Sequence, residues 1–255
     1  FTVGTDEVTN KDEDKYVGYC WDAGTAVAST SNSGSATNYT RWTNSTAGFS
    51  IIKATISTGS GVHSKTIDHG LGVAPGFIAA KGLDAAEDWR CYHSSLGFGG
   101  SIYLNGNNAF NTSDAWKISA TSSTQFTFDS YGAATNMVFY TWTPIEGYSS
   151  FGSYTGNGSA DGPFVYCGFE PAWLLYKRTT DGTEAWQYYD RDRTTYNMRS
   201  SRFNHTNAAE HGGNGVDIYS NGFKLKSADS ADNASGKNFI YIAFAERPFK
   251  TARGQ

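Results

Sequence analysis

The sequence predicts an all-β protein made of tandem antiparallel β-sandwich-like repeats, opened by an N-terminal hairpin left from a partial third repeat. Three observations point that way. Glycine supplies 29 of 255 residues and aromatics 15%, with Ser and Thr crowded between short apolar runs, a composition that suits pleated, half-buried strands. Asn105-Gly106, Asp181-Gly182 and Asn221-Gly222 are hairpin turn signals, because Asn, Asp and Gly tolerate positive φ. The chain also repeats itself, with ordered motifs recurring at a nearly constant offset.

Residues 1–23 carry FTV, an acidic loop and KYVGYCW, which read as strand, turn and strand. Set against FTF…MVFYTW (126–142) and FKL…FIYIAF (223–244), Phe1 takes the place of Phe126 and Phe223. Trp21 takes that of Trp142 and Phe244. The expectation is the last two strands of a preceding repeat whose earlier part is absent from this sequence. No signal peptide or initiator Met is visible, as expected of a processed chain or a segment of a longer one. A lone hairpin is marginal in water, so Phe1, Val3, Tyr19 and Trp21 are candidate assembly residues. They would rejoin an upstream repeat or pair with a neighbouring chain by strand addition.

Residues 24–47 follow as a Ser/Thr-rich linker, hydroxyl-dense enough to be the best O-glycan candidate, with Tyr39 and Trp42 as isolated anchors. Two repeats come next, 48–146 and 147–249, and then a short tail, 250–255. Gly48-Phe49-Ser50 returns as Gly147-Tyr148-Ser149, Pro75 as Pro171, Phe77 as Trp173 and Lys81 as Lys177. DWRCYH (88–93) matches AWQYYD (185–190), and QFTF (125–128) matches GFKL (222–225). Strands are expected at 49–55, 76–82, 88–93, 101–104, 116–119, 125–129 and 137–142. In the second repeat they fall at 150–154, 163–167, 172–178, 185–190, 216–219, 222–226 and 238–245. Residues 108–116 and 203–211 read as a helical turn or an end loop. Trp89, Trp186, Phe126 and Phe223 recur at matched positions, as core-filling residues do, and the two sandwiches are expected to join end to end.

No chemistry announces itself. GxSxG, HExxH, P-loop and dinucleotide fingerprints are missing, and no cofactor is expected. Net charge is −4 with scattered Lys and Arg, which argues against nucleic acid, and no apolar run is long enough for a membrane span. Cys20, Cys91 and Cys167 lack metal-ligand spacing and read as small buried residues. None of the five histidines sits at a position occupied in both repeats. Asp190-Arg191-Asp192-Arg193 reads as surface ion pairs, and Asp229 and Asp232 as turn acids. Sequons stand at Asn38, Asn44, Asn111, Asn157, Asn204 and Asn233, candidate glycosylation sites if the source glycosylates.

FGSYTGNGSADGPFVYCGFEPAWLLYKR (151–178), SNGFKLK (220–226), ASGKNFIYIAFAERPFK (234–250) and YVGYCWDAG (16–24) carry a family resemblance. The chain resembles an uncharacterised tandem β-repeat domain of predicted phage tail-fibre and virion proteins, especially from aquatic phages. TPIEGY (143–148) departs from the Ala-Glu-x-Pro-Gly-aromatic joint more common in that family. The resemblance implies an extended extracellular structural protein and transfers no catalytic residue.

The expected function is a non-enzymatic structural subunit of an extracellular fibre or filament, at the virion surface. Its partners would be copies of itself or further repeats of the same polypeptide. The alternative is a carbohydrate- or receptor-binding module of such a fibre, contacting cell-surface glycans. Tyr188, Tyr189, Tyr196, Arg191 and Arg193 are its candidate glycan contacts.

Overall fold

The computed structural model describes residues 4–5, 10–12, 18–24, 30–56, 60–132, 136–181, 184–191, 196–197, 199–202 and 211–246, with the side chains of 199–202 and 211–214 excepted. It is an all-β protein of four antiparallel sheets, and the repeat read in the sequence is a repeat of topology.

Sheet I has six strands, ordered β1 (Thr37–Asn44), β2 (Phe49–Thr55), β9 (Asn136–Trp142), β4 (Phe77–Gly82), β5 (Arg90–His93) and β6 (Ile102–Tyr103). Sheet II packs on it, ordered β3 (Val62–Asp68), β8 (Gln125–Tyr131) and β7 (Lys117–Thr121). In the second repeat, sheet III runs β10 (Ser149–Thr155), β17 (Asn238–Phe244), β12 (Trp173–Arg178) and β13 (Gln187–Asp190). Sheet IV runs β11 (Phe164–Tyr166), β16 (Gly222–Leu225), β15 (His211–Tyr219) and β14 (Arg199–Arg202). The order β2-β9-β4-β5 is reproduced by β10-β17-β12-β13, and β3-β8-β7 by β11-β16-β15. Strands β1, β6 and β14 are each particular to one repeat.

Register makes most of the sequence matches literal. Phe77 lies opposite Trp142 and His93, as Trp173 lies opposite Phe244 and Asp190. The start of each repeat is the exception. Phe49 faces Trp142 and Ser149 faces Phe244, so Phe49 corresponds to Ser149 rather than to Tyr148. The one-residue slip is taken up in the joint, where Ile145 bridges back to Ser149.

Residues 37–44, inside the stretch expected as linker, form the edge strand β1. Its inward Tyr39 is buried and donates its hydroxyl to the Asp68 carbonyl. The polar run ahead of it is also ordered: Ser33 and Ser35 hydrogen-bond Asp68 and Thr66 on β3. The short helices lie outside the predicted places: a 3-10 turn at Ser94–Leu96, and α1 at Ser230–Asn233, capped by the Asp229 carboxylate. Residues 108–116 carry no helix, and 203–210 lie outside the described residues.

Three cores result. Ile52, Ile78 and Phe139 of sheet I meet Ile67, Phe126 and Phe128 of sheet II. Leu174, Tyr176, Phe239 and Tyr241 of sheet III meet Val165, Val216, Phe223 and Leu225 of sheet IV. The third joins the repeats: Phe77, Ala79 and Cys91 pack with Leu175, Trp186, Ile240, Ile242 and Phe244. The sandwiches are therefore stacked broad face on broad face, in the order II-I-III-IV, and not end to end. This explains why β17 is apolar from Phe239 to Phe244. Phe239, Tyr241 and Ala243 face one core and Ile240, Ile242 and Phe244 the other, the continuous pattern of a strand covered on both faces.

Candidate functional site

The inter-repeat core is where sequence-predicted residues converge. It combines close packing with a few polar ties. Gly76, ahead of β4, lies under Phe151 of β10, where a Cβ would come 2.5 Å from the ring. His93 Nε2–H donates to the Tyr241 carbonyl at 3.0 Å while its Nδ1 accepts from Ser95 N–H at 3.1 Å. Burial disfavours the charged imidazole and pulls its pKa down to about 4, against a weaker opposing pull from the Tyr241 carbonyl. Trp186 is enclosed, and its indole N–H donates across the interface to the Tyr103 carbonyl at 2.8 Å. Phe110 N–H donates to the Thr179 carbonyl at 3.0 Å.

Residues 18–24 cap one margin of this core without forming a strand. Trp21 meets Trp142 at 5.8 Å, and Trp173 and Phe244 at 5.6 Å each, all edge-on. Trp21, Trp142 and Phe244 are the three matched positions of the repeat pattern, and here Trp21 touches both of the others. Tyr19 packs edge-on against Tyr188 and donates its hydroxyl to the Asp190 carboxylate at 2.8 Å. The candidate assembly residues Tyr19 and Trp21 thus contact their own chain; Phe1 and Val3 lie outside the described residues.

The candidate glycan contacts are dispersed. Tyr189 is buried, its ring stacked on Tyr176 at 5.7 Å, and Tyr188 lies half-buried beneath Tyr19. Tyr196 is 82% exposed, Arg191 pairs with Glu246 at 3.0 Å, and Arg193 lies outside the described residues. Leu174, Tyr189, Asp190, Arg191 and Ile218 border a dent too tight to enclose a water molecule, far short of a ligand pocket. Asp190 is buried under Tyr19, unlike the solvated ion pair expected of it. Exposed aromatic rings gather on sheet IV, at Phe164, Tyr166 and Tyr219. FVY reads as a strand but not as a surface, because all three residues are large and apolar in character.

Other singled-out residues serve the fold. The matched Lys81 and Lys177 each donate to a loop carbonyl, of Glu87 and Glu184 respectively. Burial is the larger influence on Lys177, drawing its pKa down to about 8. His69 is buried, donating to the Ser122 carbonyl and accepting from Leu71 N–H. Cys91 is buried, Cys167 half-buried and Cys20 exposed, so the small-buried-residue expectation fits only the first fully. No group of three or more His, Cys, Asp or Glu residues is placed to hold a metal ion among the described residues.

Asp232 is a buried hub rather than a turn acid. Its carboxylate accepts from Tyr176 Oη at 2.7 Å and its carbonyl from Tyr154 Oη at 2.8 Å. Asp232→Ala is expected to cost about 2–3 kcal/mol by removing the carboxylate acceptor of the Tyr176 hydroxyl, which keeps only its longer bond to Tyr189 Oη, measurable by urea denaturation.

The sequons separate by burial. Asn38 and Asn157 are exposed, Asn44 and Asn111 half-buried, and Asn204 lies outside the described residues. Asn233 is fully buried, its amide donating to Asn157 Oδ1 and to the Ser159 and Ser227 carbonyls. A glycan there would destroy that network. Peptide mapping after expression in a glycosylating host is expected to find Asn233 unmodified and Asn157 available.

The model of a family described as "Domain of unknown function (DUF7483)" matches residues 1–248. No curated protein and no solved structure matches the chain. No helix among the described residues is long and apolar enough to cross a membrane.

Proposed function

The chain belongs to the DUF7483 family, and from that premise we propose that it is a non-enzymatic structural subunit of an extracellular fibre or filament, a phage tail-fibre or virion appendage. The observation that carries the reading is the inter-repeat core. A load-bearing appendage needs repeats that do not swing apart, and here aromatic layers and buried hydrogen bonds join them. The sparse charge, 17% of residues, leaves a surface of hydroxyls, amides and glycines suited to exposure outside a cell. The resemblance to virion β-repeat domains supports the same reading. Lateral stacking makes each pair of repeats a thick segment, and further segments would add through contacts like those of Tyr19 and Trp21.

Antibodies against the purified chain test this on particles and cells from the source. The expected result in negative-stain electron microscopy is label on a thin appendage of virions. Label confined to the cell interior contradicts the proposal.

A further inference from the structure

The two repeats act as controls for one another on their outermost sheets. Inward residues correspond: Ile67 with Val165, Phe126 with Phe223, and Phe128 with Leu225. All six are buried, so the fold explains them. The outward residues of the same strands diverge. Thr66, Asp68, Gln125 and Thr127 of sheet II correspond by register to Phe164, Tyr166, Gly222 and Lys224 of sheet IV.

In the first repeat a segment borders this surface along the edge of β3. Residues 32–36 lie along it, with Ser33 N–H and Oγ–H donating to the Asp68 carboxylate, Gln125 donating to Ser33 Oγ, and Ser35 N–H donating to Thr66. A hydroxyl-rich segment of the chain thus borders a surface that is polar at this end and carries one exposed ring, Tyr131, beside Val62 at the other. In the second repeat no described residue takes that place. Phe164, Tyr166 and Tyr219 are 47, 67 and 42% exposed. Folding gains nothing from large rings left in water.

The rings have an arrangement. Gly222 lies in register between Tyr166 and Tyr219, and Phe164 leans over it, edge-on to Tyr219 at 5.8 Å and 80°. Gly222 is buried, and a Cβ there would lie 2.1 Å from the Val165 carbonyl oxygen and 3.0 Å from Phe164 Cζ, so the glycine lets β11 and the Phe164 ring close over that position. Lys224, in register with both Phe164 and Asp217, pairs with Asp161 at 2.5 Å along the rim. Asp217 and Tyr219 alternate with the buried Val216 and Ile218, and so share the outward face.

We propose that this face of sheet IV binds a neutral glycan. A pyranose is apolar on its C–H faces and hydrogen-bonding at its edge. Exposed aromatic rings match the faces, while the Lys224 ammonium and the Asp161 carboxylate match the hydroxyls. An unenclosed sheet face bearing these rings admits a chain lying across it, which suits an oligosaccharide rather than a single enclosed sugar. The site is independent of the fibre reading and of the dispersed Tyr188–Arg193 cluster.

Affinity electrophoresis of the whole chain in gels containing soluble β-glucan, mannan, galactan or glycol chitin tests the proposal. The expected result is retardation by at least one of these glycans. Tyr166→Ala and Tyr219→Ala are each expected to weaken it about tenfold or more, while Thr127→Ala on the matched face of sheet II leaves it unchanged. Both tyrosines are exposed, so unaltered melting temperatures separate lost binding from lost folding. Absence of retardation in all four glycans, or equal retardation of wild type and the Tyr166→Ala/Tyr219→Ala double variant, overturns the proposal.

Discussion

Trp186→Ala is expected to destabilise the protein by about 3–5 kcal/mol, the cost of deleting a buried aromatic side chain. Its position determines how that loss is distributed. The indole fills the core between the repeats, and its N–H satisfies the Tyr103 carbonyl of the other repeat. Alanine leaves a cavity and removes the shorter of two hydrogen bonds to the Tyr103 carbonyl, which keeps the Gly106 N–H at 3.3 Å. The first repeat is therefore expected to lose stability along with the second, although the substitution lies in the second. Urea denaturation followed by far-UV circular dichroism checks this, with one midpoint lowered for the whole signal. A partial transition, with half of the β signal retained at the wild-type midpoint, contradicts it.

The second large effect is acid sensitivity centred on His93. Its folded pKa is near 4 and its ordinary value is 6.5. Between those values the unfolded chain binds a proton that the folded chain excludes, so stability is full above pH 6.5 and falls as the pH drops towards 4. Below about 4 both states are protonated and this loss stops growing. The expected loss from His93 is about 3 kcal/mol over that window. His69, also shifted down by burial, pulls in the same direction. His93→Gln keeps a donor near the Tyr241 carbonyl and removes the ionisation. It is expected to lower stability at pH 7 and to flatten the slope between pH 6.5 and 4. Denaturation series across pH measure both, and an unchanged slope in the variant contradicts the assignment.

These two residues also show what was legible in the sequence. Trp186 and His93 lie in the matched motifs AWQYYD and DWRCYH, and the repeat is plain because those motifs recur in order. The strongly apolar strands β9, β12 and β17 are readable for the same reason. The strands that escape notice are β1, β3 and β14. In β3 only Ile67 is fully buried, so polar residues occupy most of its positions and the alternation that marks a strand is missing. In β1, Tyr39 alone is buried, and the surrounding hydroxyls resemble a linker. Composition cannot distinguish a solvated linker from an edge strand whose hydroxyls bond β3.

Lateral stacking was written into FIYIAF and WLLYK, which are apolar on both faces where a two-layer sandwich needs only one. The outer face of sheet IV was harder to see. Phe164 and Tyr166 flank Val165, and size and apolar character do not reveal which face of FVY points outward. That assignment required the register with β16, and the comparison with sheet II then isolated the exposed rings.

The two repeats form one body through their shared aromatic core. Differential scanning calorimetry of the whole chain at pH 7 tests it most directly. One transition is expected, with calorimetric and van't Hoff enthalpies equal. Two resolved transitions, only one of which moves when Trp186 is replaced by alanine, would contradict it.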